Sequence, residues 1–407
     1  MREERYLDAG RAAEELGDSL ATLYAYVSRG MVRSEAVEGK GRNRRYRAED
    51  VRRLKERKER RRDPEGVVEG ALHWGTPVLE SAITMIDDGG GLYYRGRDVP
   101  ALAGQKSIEE VAALIWTGDE AMAPALFPPE MSGPSRRISD VVDSVAGLTP
   151  VEVFQVMLPV AAAEDPAAYD LRPSAVARTG ARILRLMTDV AAGESVPGLA
   201  GTLQRGWSPD DPGSADLLDS ALVFCVDHEL PVSTFAARCV ASSEAAPYAV
   251  VVAGLAAIGG VKHGGEIEFV ESFLREVDAA GDARAVISGR LRRGERIPGF
   301  GHSLYAEGDP RGTALLGLTA GAYPESIAVA LSDSVASEML RLMDERPTVD
   351  FALATVARTL ELPPSGAIAL FALGRTVGWI GHAIEQYRSG SLIRPRARYV
   401  GEQPRDR

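Results

Sequence analysis

The chain has 407 residues, of which 45% are hydrophobic and 26% are charged, a composition that excludes a disordered chain and is typical of a folded globular protein. Two cysteines, Cys225 and Cys239, are too few for a disulfide framework, so we expect a reducing, cytoplasmic location. The longest apolar stretch, residues 248–261, is too short to cross a bilayer and predicts a buried helix without membrane contact.

Charge is distributed unevenly along the chain. Residues 1–63 hold 18 of the 47 Lys and Arg residues but only 13 of the 58 Asp and Glu residues. The first 63 residues therefore carry a net charge of +5, and the remaining residues carry −16. Only the N-terminal segment is suited to contact a polyanion.

The N-terminal segment predicts two short helices joined by a tight turn. The first helix should end at Gly17, and Asp18 or Ser19 can cap the second, which Gly30 can close. The apolar face of the second helix is expected at Leu20, Leu23 and Val27. A basic, glycine-containing wing comes next, and a third, highly charged helix is expected from residue 48 to about 62.

Three stretches of this segment, TLYAYVSRGMV, GRNRRYR and EDVRRL, resemble the winged helix-turn-helix of the MerR and excisionase regulators. The resemblance implies that the second helix enters the DNA major groove and that the wing holds the backbone. Tyr46 would lie in the wing core. The implied DNA contacts are Thr22, Tyr24 and Arg29 toward the groove, and Arg42, Arg44 and Arg45 on phosphates. The alternative is a protein-interaction domain whose arginines are merely solvated.

The rest of the chain predicts a mainly α body. Its apolar residues recur with helical spacing in long stretches that Gly and Pro interrupt, whereas few stretches alternate as strands do. The clearest helical stretches are residues 107–119, 174–193, 214–230 and 365–388.

Three of the five histidines stand beside turn signals: His228 in DHE, His263 in KHGG and His302 in GFGH. Loop ends on a helical scaffold are common places for catalytic residues. The spacings of 35 and 39 residues, without an HExxH or CxxC motif, argue against a metal site, and we expect no metal. His73 and His382 are predicted to be structural.

Four blocks of the body resemble the citrate synthase family, in the order of that family. They are residues 81–119, residues 227–268 with DHELPVSTF and KHGGEIE, residues 298–312 with PGFGHSLYAEGDPRG, and VDF at 349–351 joined to FALGRTVGWIGHAIEQ and LIRPRARYVG. The resemblance implies condensation of acetyl-CoA or propionyl-CoA with oxaloacetate, giving citrate or 2-methylcitrate. Acyl-CoA is then a substrate, and no cofactor is expected.

The resemblance also assigns roles to individual residues. Asp350 would remove a proton from the acyl group, His263 would stabilise the enol oxygen, and His302 would polarise the ketone. His228 would orient the oxo-acid. The carboxylates of the oxo-acid would be bound by Arg311, Arg375 and Arg394. The backbone of the stretch Ile297, Pro298, Gly299, Phe300 and Gly301 would contact the adenine of CoA.

The role of Arg394 implies an oligomer, and the other assignments have structural alternatives. Arg394 would reach the site of a neighbouring subunit, so a homodimer, or a heteromer with a paralogous subunit, is expected. Asp350 could instead be only a helix N-cap, and each arginine only a surface ion-pair partner.

The expected architecture is a citrate-synthase-like, two-subdomain, all-helical body behind a small winged helix-turn-helix domain. The N-terminal domain would comprise residues 1–62. The large subdomain would comprise residues 66–265 and 361–407, and the small subdomain residues 266–360. The site would lie in the cleft between the two subdomains.

Three turns depart from the family pattern. Leu230, Pro231 and Val232 come after DHE where an asparagine is common, EIE replaces Ala-Asn-Glu after HGG, and Ala352 and Leu353 replace Tyr-Ser after VDF. The extra carboxylate of Glu266 is expected to raise the pKa of His263. The departures leave open two alternatives to an active enzyme: a ligand-responsive DNA-binding regulator, or a non-catalytic partner subunit that keeps the fold.

Overall fold

A computed structural model describes residues 6–28, 31–36, 44–48, 50–51, 54, 79–87, 89–131, 133–305 and 307–402. The chain divides into two compact units, Met1–Glu80 and Ser81–Arg407, called here the N-terminal unit and the body.

In its described residues, the N-terminal unit has two helices with defined bounds and a three-stranded antiparallel sheet. The third helix, expected from residue 48 to about 62, lies mostly outside the described residues. Helix α1 (Ala9–Leu16) begins where the side chain of Asp8 accepts the Arg11 N–H, and it ends at Gly17 in the left-handed conformation, as predicted. Helix α2 spans Leu20–Ser28. Strand β3 (Arg44–Arg47) lies between β1 (Tyr6–Leu7) and β2 (Ser34–Ala36).

The core of the N-terminal unit is small. Tyr46 is buried in it, as predicted for the wing core, and so is Leu23 of α2. The predicted apolar face of α2 is wrong at Leu20, which is 46% exposed because it opens the helix a turn before the packed Leu23. Gly30 lies outside the described residues.

The body begins with a small antiparallel sheet of β4 (Thr84–Ile86), β5 (Leu92–Tyr94) and β6 (Arg97–Asp98). The remainder of the body is mostly helical. Its helices are α3 (Val99–Ala103), α4 (Ile108–Thr117), α5 (Ala123–Leu126), α6 (Arg136–Ser144), α7 (Pro150–Glu164), α8 (Pro173–Ala192), α9 (Leu199–Trp207), α10 (Ser214–Cys225), α11 (Val232–Ala241), α12 (Pro247–Ile258), α13 (Glu266–Ala280), α14 (Ala283–Arg292), α15 (Pro310–Ala322), α16 (Ile327–Met343), α17 (Val349–Thr359) and α18 (Gly366–Ser389). The mainly α prediction is confirmed.

Helix α18 is the central helix of the body. It packs against α4, α8, α10, α11 and α12, and its apolar 18-residue window is wholly buried. Within the described residues it is the one helix whose length and hydropathy would suit a bilayer, yet complete burial is what a core helix of this composition shows. The predicted buried helix at 248–261 is confirmed as α12.

The buried apolar residues of the body form two clusters. The larger cluster surrounds α18. The smaller is built by α13, α14, α16 and the segment at Ile297 and Phe300. Helix α17 contributes to both, with Phe351 and Ala354 in the smaller cluster and Ala352 and Leu353 in the larger. The N-terminus of α17 therefore lies where the two cores adjoin.

The packing of α12 on α18 depends on Gly254. A Cβ atom added to Gly254 would lie 2.4 Å from the Trp379 ring, whereas one added to Gly201 in α9 would meet nothing within 4 Å. We expect Gly254→Ala to lower the free energy of unfolding by about 1–3 kcal/mol through overpacking. Gly201→Ala should raise it by about 0.5–1 kcal/mol, because alanine favours a helix. Chemical denaturation of both variants measures this, and equal effects would contradict the packing.

Candidate active site

Six candidate side chains come from the ends of different helices. His228 is located just after α10, His263 lies between α12 and α13, and His302 precedes α15. The other three are helical: Arg311 in the first turn of α15, Asp350 in the first turn of α17 and Arg375 within α18.

His228 and His302 lie beside each other. Their ring centroids are 5.3 Å apart in a T-shaped arrangement. Tyr305 contacts both: its hydroxyl lies 2.7 Å from Nε2 of His228, and its ring centroid lies 4.9 Å from that of His302. His302 and Tyr305, from the loop before α15, thus form one cluster with His228, which follows α10.

His263 and Arg375 both contact the ring of Phe371. The His263 ring stands edge-on to Phe371 at 5.7 Å, and the Arg375 guanidinium lies over the Phe371 face at 4.8 Å. Nε2 of His263 is also 2.7 Å from the hydroxyl of Ser233, at the start of α11. One ring nitrogen of His263 is thus held by the protein, which fixes the orientation of the ring.

A buried ion pair joins α15 to α17. The Asp309 carboxylate accepts two hydrogen bonds from the Arg311 guanidinium, at 3.0 and 2.8 Å, and a third from the Val349 N–H at 3.1 Å. Because Val349 begins α17, the contact brings Asp350 close to Arg311. Asp350 is not the N-cap of its helix: Thr348 is, and its hydroxyl lies 3.2 Å from the Asp350 carboxylate.

Arg375 is a buried cation with only part of its donors used. Its exposed fraction is 1%, and its Nε donates to the Cys225 carbonyl at 2.8 Å. Among the described residues, no acceptor contacts its other two guanidinium nitrogens. Buried guanidinium groups are normally paired, so this donor fork is suited to a ligand carboxylate.

The site keeps its histidines neutral. Burial lowers the pKa of His263 to about 4, with the Arg375 charge adding to the effect. Burial also lowers the pKa of His302, helped by Arg311, and brings the pKa of His228 well below its ordinary value. A neutral imidazole has one N–H, so each histidine can donate one hydrogen bond.

The expectation that Glu266 raises the pKa of His263 is wrong. Glu266 turns away to accept the Gly299 N–H at 3.0 Å and to pair with Arg296. Its charge acts instead on Asp350. Burial is the main cause that raises the pKa of Asp350 to about 6, and Asp309 and Glu266 add to it against the opposing charge of Arg311. A carboxylate with such a pKa is a suitable general base near neutral pH.

The stretch expected to bind CoA is anchored to the turn before α17. Thr348 N–H donates to the Gly299 carbonyl at 2.9 Å, and Gly301 N–H donates to the Arg346 carbonyl at 3.1 Å. The side chains of Ile297 and Phe300 are buried in the smaller core. Both polar backbone groups of Gly299 are therefore engaged within the protein, so any adenine contacts would fall on its neighbours.

The structure does not bring Arg394 to the other candidates within this chain. It is exposed in the segment after α18, at residues 391–402. His382, predicted to be structural, is fully buried and lies 3.3 Å from Asp227. His73 lies outside the described residues. No group of three potential metal-ligating side chains occurs in the described part of the chain, and the absence of a metal remains a prediction.

The candidate DNA contacts differ in their surroundings. Tyr24 is 51% exposed, whereas Thr22 shares a hydrogen bond with Ser19. Arg44 donates to Ser34, and Arg45 pairs with Glu35 while stacking on Tyr6. Arg29 and Arg42 lie outside the described residues.

Three side chains of the site were missed by sequence reasoning: Ser233, Tyr305 and Asp309. Asp309 and Tyr305 stand inside the motif that supplied His302 and Arg311, and Ser233 lies five residues after His228. A rule that every buried imidazole and guanidinium needs a partner would have directed attention to hydroxyl and carboxyl groups in those motifs.

Comparison with known proteins identifies the body. The family model described as citrate synthase, C-terminal domain, matches residues 71–396. The chain belongs to the citrate synthase family. A second family model, MerR HTH family regulatory protein, matches residues 8–61.

Relatives and solved structures agree with this membership. The citrate synthase of Haloferax volcanii is 32% identical over 371 residues, covering 82% of this chain and 96% of that protein. The 2-methylcitrate synthase 2 of Corynebacterium glutamicum is 28% identical, covering 77% and 90%. The Thermoplasma acidophilum citrate synthase, solved with carboxymethyl coenzyme A and oxaloacetate, matches with a TM-score of 0.69 at 22% identity, covering 81% and 95%. The fold of the body is therefore that of citrate synthases.

In this citrate synthase family member, the departures from the family pattern have visible structural counterparts. Pro231 precedes α11 where no side chain caps the helix. Ala352 and Leu353 are fully buried in the larger core. Glu266 holds the Gly299 loop. The altered turns thus serve packing and loop anchoring beside the candidate residues.

The raised pKa of Asp350 predicts a conflict between stability and chemistry. The folded pKa of about 6 lies above the ordinary 3.8, so the ionised carboxylate destabilises the fold above pH 6, and this cost disappears as the pH falls toward 4. Asp350→Asn should therefore raise the free energy of unfolding at pH 8 by on the order of 2 kcal/mol, allowing for partial solvent access.

Asp309→Asn is the matched control. Burial alone would raise the pKa of Asp309, but Arg311 outweighs it and holds that pKa below its ordinary value, so ionised Asp309 stabilises the fold. Its removal should cost about 3 kcal/mol or more at pH 8. Denaturant titrations of the two variants measure the contrast, and a loss of stability for both would contradict the assignment of Asp350.

Proposed function

We propose that this chain condenses an acyl-CoA with oxaloacetate, giving citrate from acetyl-CoA or 2-methylcitrate from propionyl-CoA, together with CoA. Membership of the citrate synthase family supports the reaction class, and relatives bear both names. The observation that carries the proposal is the buried Arg375 fork beside Arg311 and three neutral histidines. Two guanidinium groups among imidazole donors suit a dicarboxylate with a ketone between its charges.

The first chemical step needs a base and an oxyanion donor. Asp350 would take a proton from the carbon next to the thioester, and His263 would donate a hydrogen bond to the thioester oxygen as charge develops there. Ser233 supports this by holding Nε2 of His263, so that the other ring nitrogen faces the reacting group. The product of the step is an enol that stays bound to CoA.

The second step forms the carbon–carbon bond. The Leu304 N–H donates to Nδ1 of His302 at 3.2 Å, so neutral His302 carries its proton on Nε2. That proton would polarise the ketone and pass to its oxygen as the enol carbon attacks. Water then cleaves the thioester of the adduct, and the carboxylate product and CoA leave. His228 would orient the oxo-acid.

Closure of two subdomains would exclude bulk water while the enol forms and attacks the ketone. We propose a large subdomain at 66–265 and 361–407 and a small subdomain at 266–360, with the CoA-binding stretch in the small one. The two apolar clusters support this division, and α17 joins them. Arg394 would complete the site of a second subunit in a homodimer or in a heteromer with a paralogous chain. The free cysteines suit a cytoplasmic location.

The proposal is tested by release of CoA from acetyl-CoA and from propionyl-CoA in the presence of oxaloacetate. We expect thiol release with at least one of them, with a rate that rises with pH and levels off above about pH 6, where Asp350 is ionised. Asp350→Asn should lower turnover by about a hundredfold or more. Asp333→Asn, on the exposed face of α16, is the control. No release with either thioester would refute the proposal.

We also propose that the N-terminal unit binds DNA, since the MerR-type match covers residues 8–61 and Tyr24 is exposed on α2. In this interpretation α2 contacts the major groove and Arg44 and Arg45 contact phosphates. The alternative is that the body responds to a ligand and regulates this binding, without turnover.

A gel shift on the upstream DNA of its own gene, at increasing salt and with or without oxaloacetate, tests DNA binding. Arg44→Ala should weaken binding to all sequences and reduce the slope of log affinity against log salt by about one. Arg205→Ala, on the exposed surface of α9 in the acidic body, should leave binding unchanged. Absence of binding at low salt, or an equal loss in both variants, would refute this role.

A further inference from the structure

Tyr305 contacts two catalytic candidates, His228 and His302, and takes no part in the steps proposed above. Its side chain is 3% exposed, its hydroxyl lies 2.7 Å from Nε2 of His228, and its ring packs at 4.9 Å from the His302 ring. Burial raises the pKa of Tyr305 well above its ordinary value, so the phenol keeps its proton.

The direction of the hydrogen bond can be inferred from the surroundings. In the described part of the chain, the Tyr305 hydroxyl has no contact with an acceptor other than His228. A buried O–H that accepted from His228 would leave its own proton without a partner, which costs free energy. The arrangement that satisfies both groups has Tyr305 donating to Nε2 of His228.

The donation fixes where His228 carries its proton. His228 is neutral, because burial, and after it the charges of Arg311 and Arg375, bring its pKa well below the ordinary value. A neutral imidazole has one donor and one acceptor nitrogen, so an accepting Nε2 requires the proton on Nδ1. No described residue contacts Nδ1 of His228 through a hydrogen bond, which leaves that N–H for a ligand.

The two adjacent imidazoles therefore carry their protons on opposite nitrogens. His302 accepts the Leu304 N–H on Nδ1, which places its proton on Nε2, whereas His228 accepts on Nε2 and carries its proton on Nδ1. We propose that Tyr305 is a positioning residue that holds His228 as the Nδ1–H tautomer beside His302, so that His228 donates from Nδ1 to the oxo-acid. The proposal rests on the proposed condensation and adds a residue that determines affinity for its oxo-acid substrate.

Tyr305→Phe removes the hydroxyl and keeps the ring against His302. We expect the KM for oxaloacetate to rise about tenfold, the equivalent of one hydrogen bond, while the KM for the acyl-CoA stays near its wild-type value. Tyr248→Phe is the matched control, because it removes a buried hydroxyl that contacts Asp165, away from the candidate site. It should change neither KM.

The tautomer is read directly by NMR of the full chain labelled with ¹⁵N-histidine, the His228 signals being assigned by their loss in His228→Gln. The wild type should have a protonated Nδ1 and a non-protonated Nε2, and Tyr305→Phe should move protons toward Nε2. A wild-type His228 protonated on Nε2 would overturn the proposal, even if the variant fails to fold. So would an unchanged tautomer and KM in Tyr305→Phe. The predicted tautomers without CoA release would refute the condensation but support the positioning role.

Discussion

The burial of two like charges in one site is the constraint on which the rest of the structure depends. Arg311 and Arg375 are 3% and 1% exposed. Asp309 accepts from Nε and Nη2 of Arg311, but Arg375 has only a carbonyl oxygen as direct acceptor among the described residues. Burial lowers the pKa of Arg375, and the Arg311 charge opposes its protonation, while Asp227 favours it. The site thus retains one guanidinium group with unused donors, which an anionic ligand would pair.

The buried charges determine the protonation states of the surrounding groups. The histidines stay neutral because desolvation and two nearby cations both disfavour another positive charge. Asp350 is held at an intermediate pKa because burial and neighbouring carboxylates oppose the attraction of Arg311. A base that is ionised at neutral pH and donors that are uncharged then coexist within one site. The hydrogen bond from the Val349 N–H to Asp309 fixes the position of Asp350 relative to Arg311.

Sequence reasoning anticipated the parts of the structure that depend on local pattern. Helical periodicity predicted the α body, and the motifs around His228, His263, His302 and Asp350 predicted the residues that helix ends would present. It could not predict partners chosen by tertiary packing. Tyr305 reaches His228 across 77 positions of sequence, and Glu266 reaches Gly299 across 33. Helical periodicity likewise could not show that Leu20, as the first residue of α2, lies outside the packed core.

The departures from the family pattern are explained by core packing and by loop anchoring. Residues that lost polar groups, such as Ala352 and Leu353, are now core residues, and the carboxylate gained at Glu266 anchors a loop instead of disturbing His263. The altered turns therefore leave the electrostatics of His263 intact. Their consequences should appear in loop stability and in the pKa of Asp350.

The central claim is that Arg311 and Arg375 form a site for two carboxylates. Isothermal titration of the intact wild-type protein with oxaloacetate, and separately with the monocarboxylate pyruvate, tests it without any substitution. We predict that oxaloacetate binds at least about tenfold more tightly than pyruvate, with an affinity that weakens as salt is added. Equal affinities for the two oxo-acids, or no binding of oxaloacetate, would contradict it.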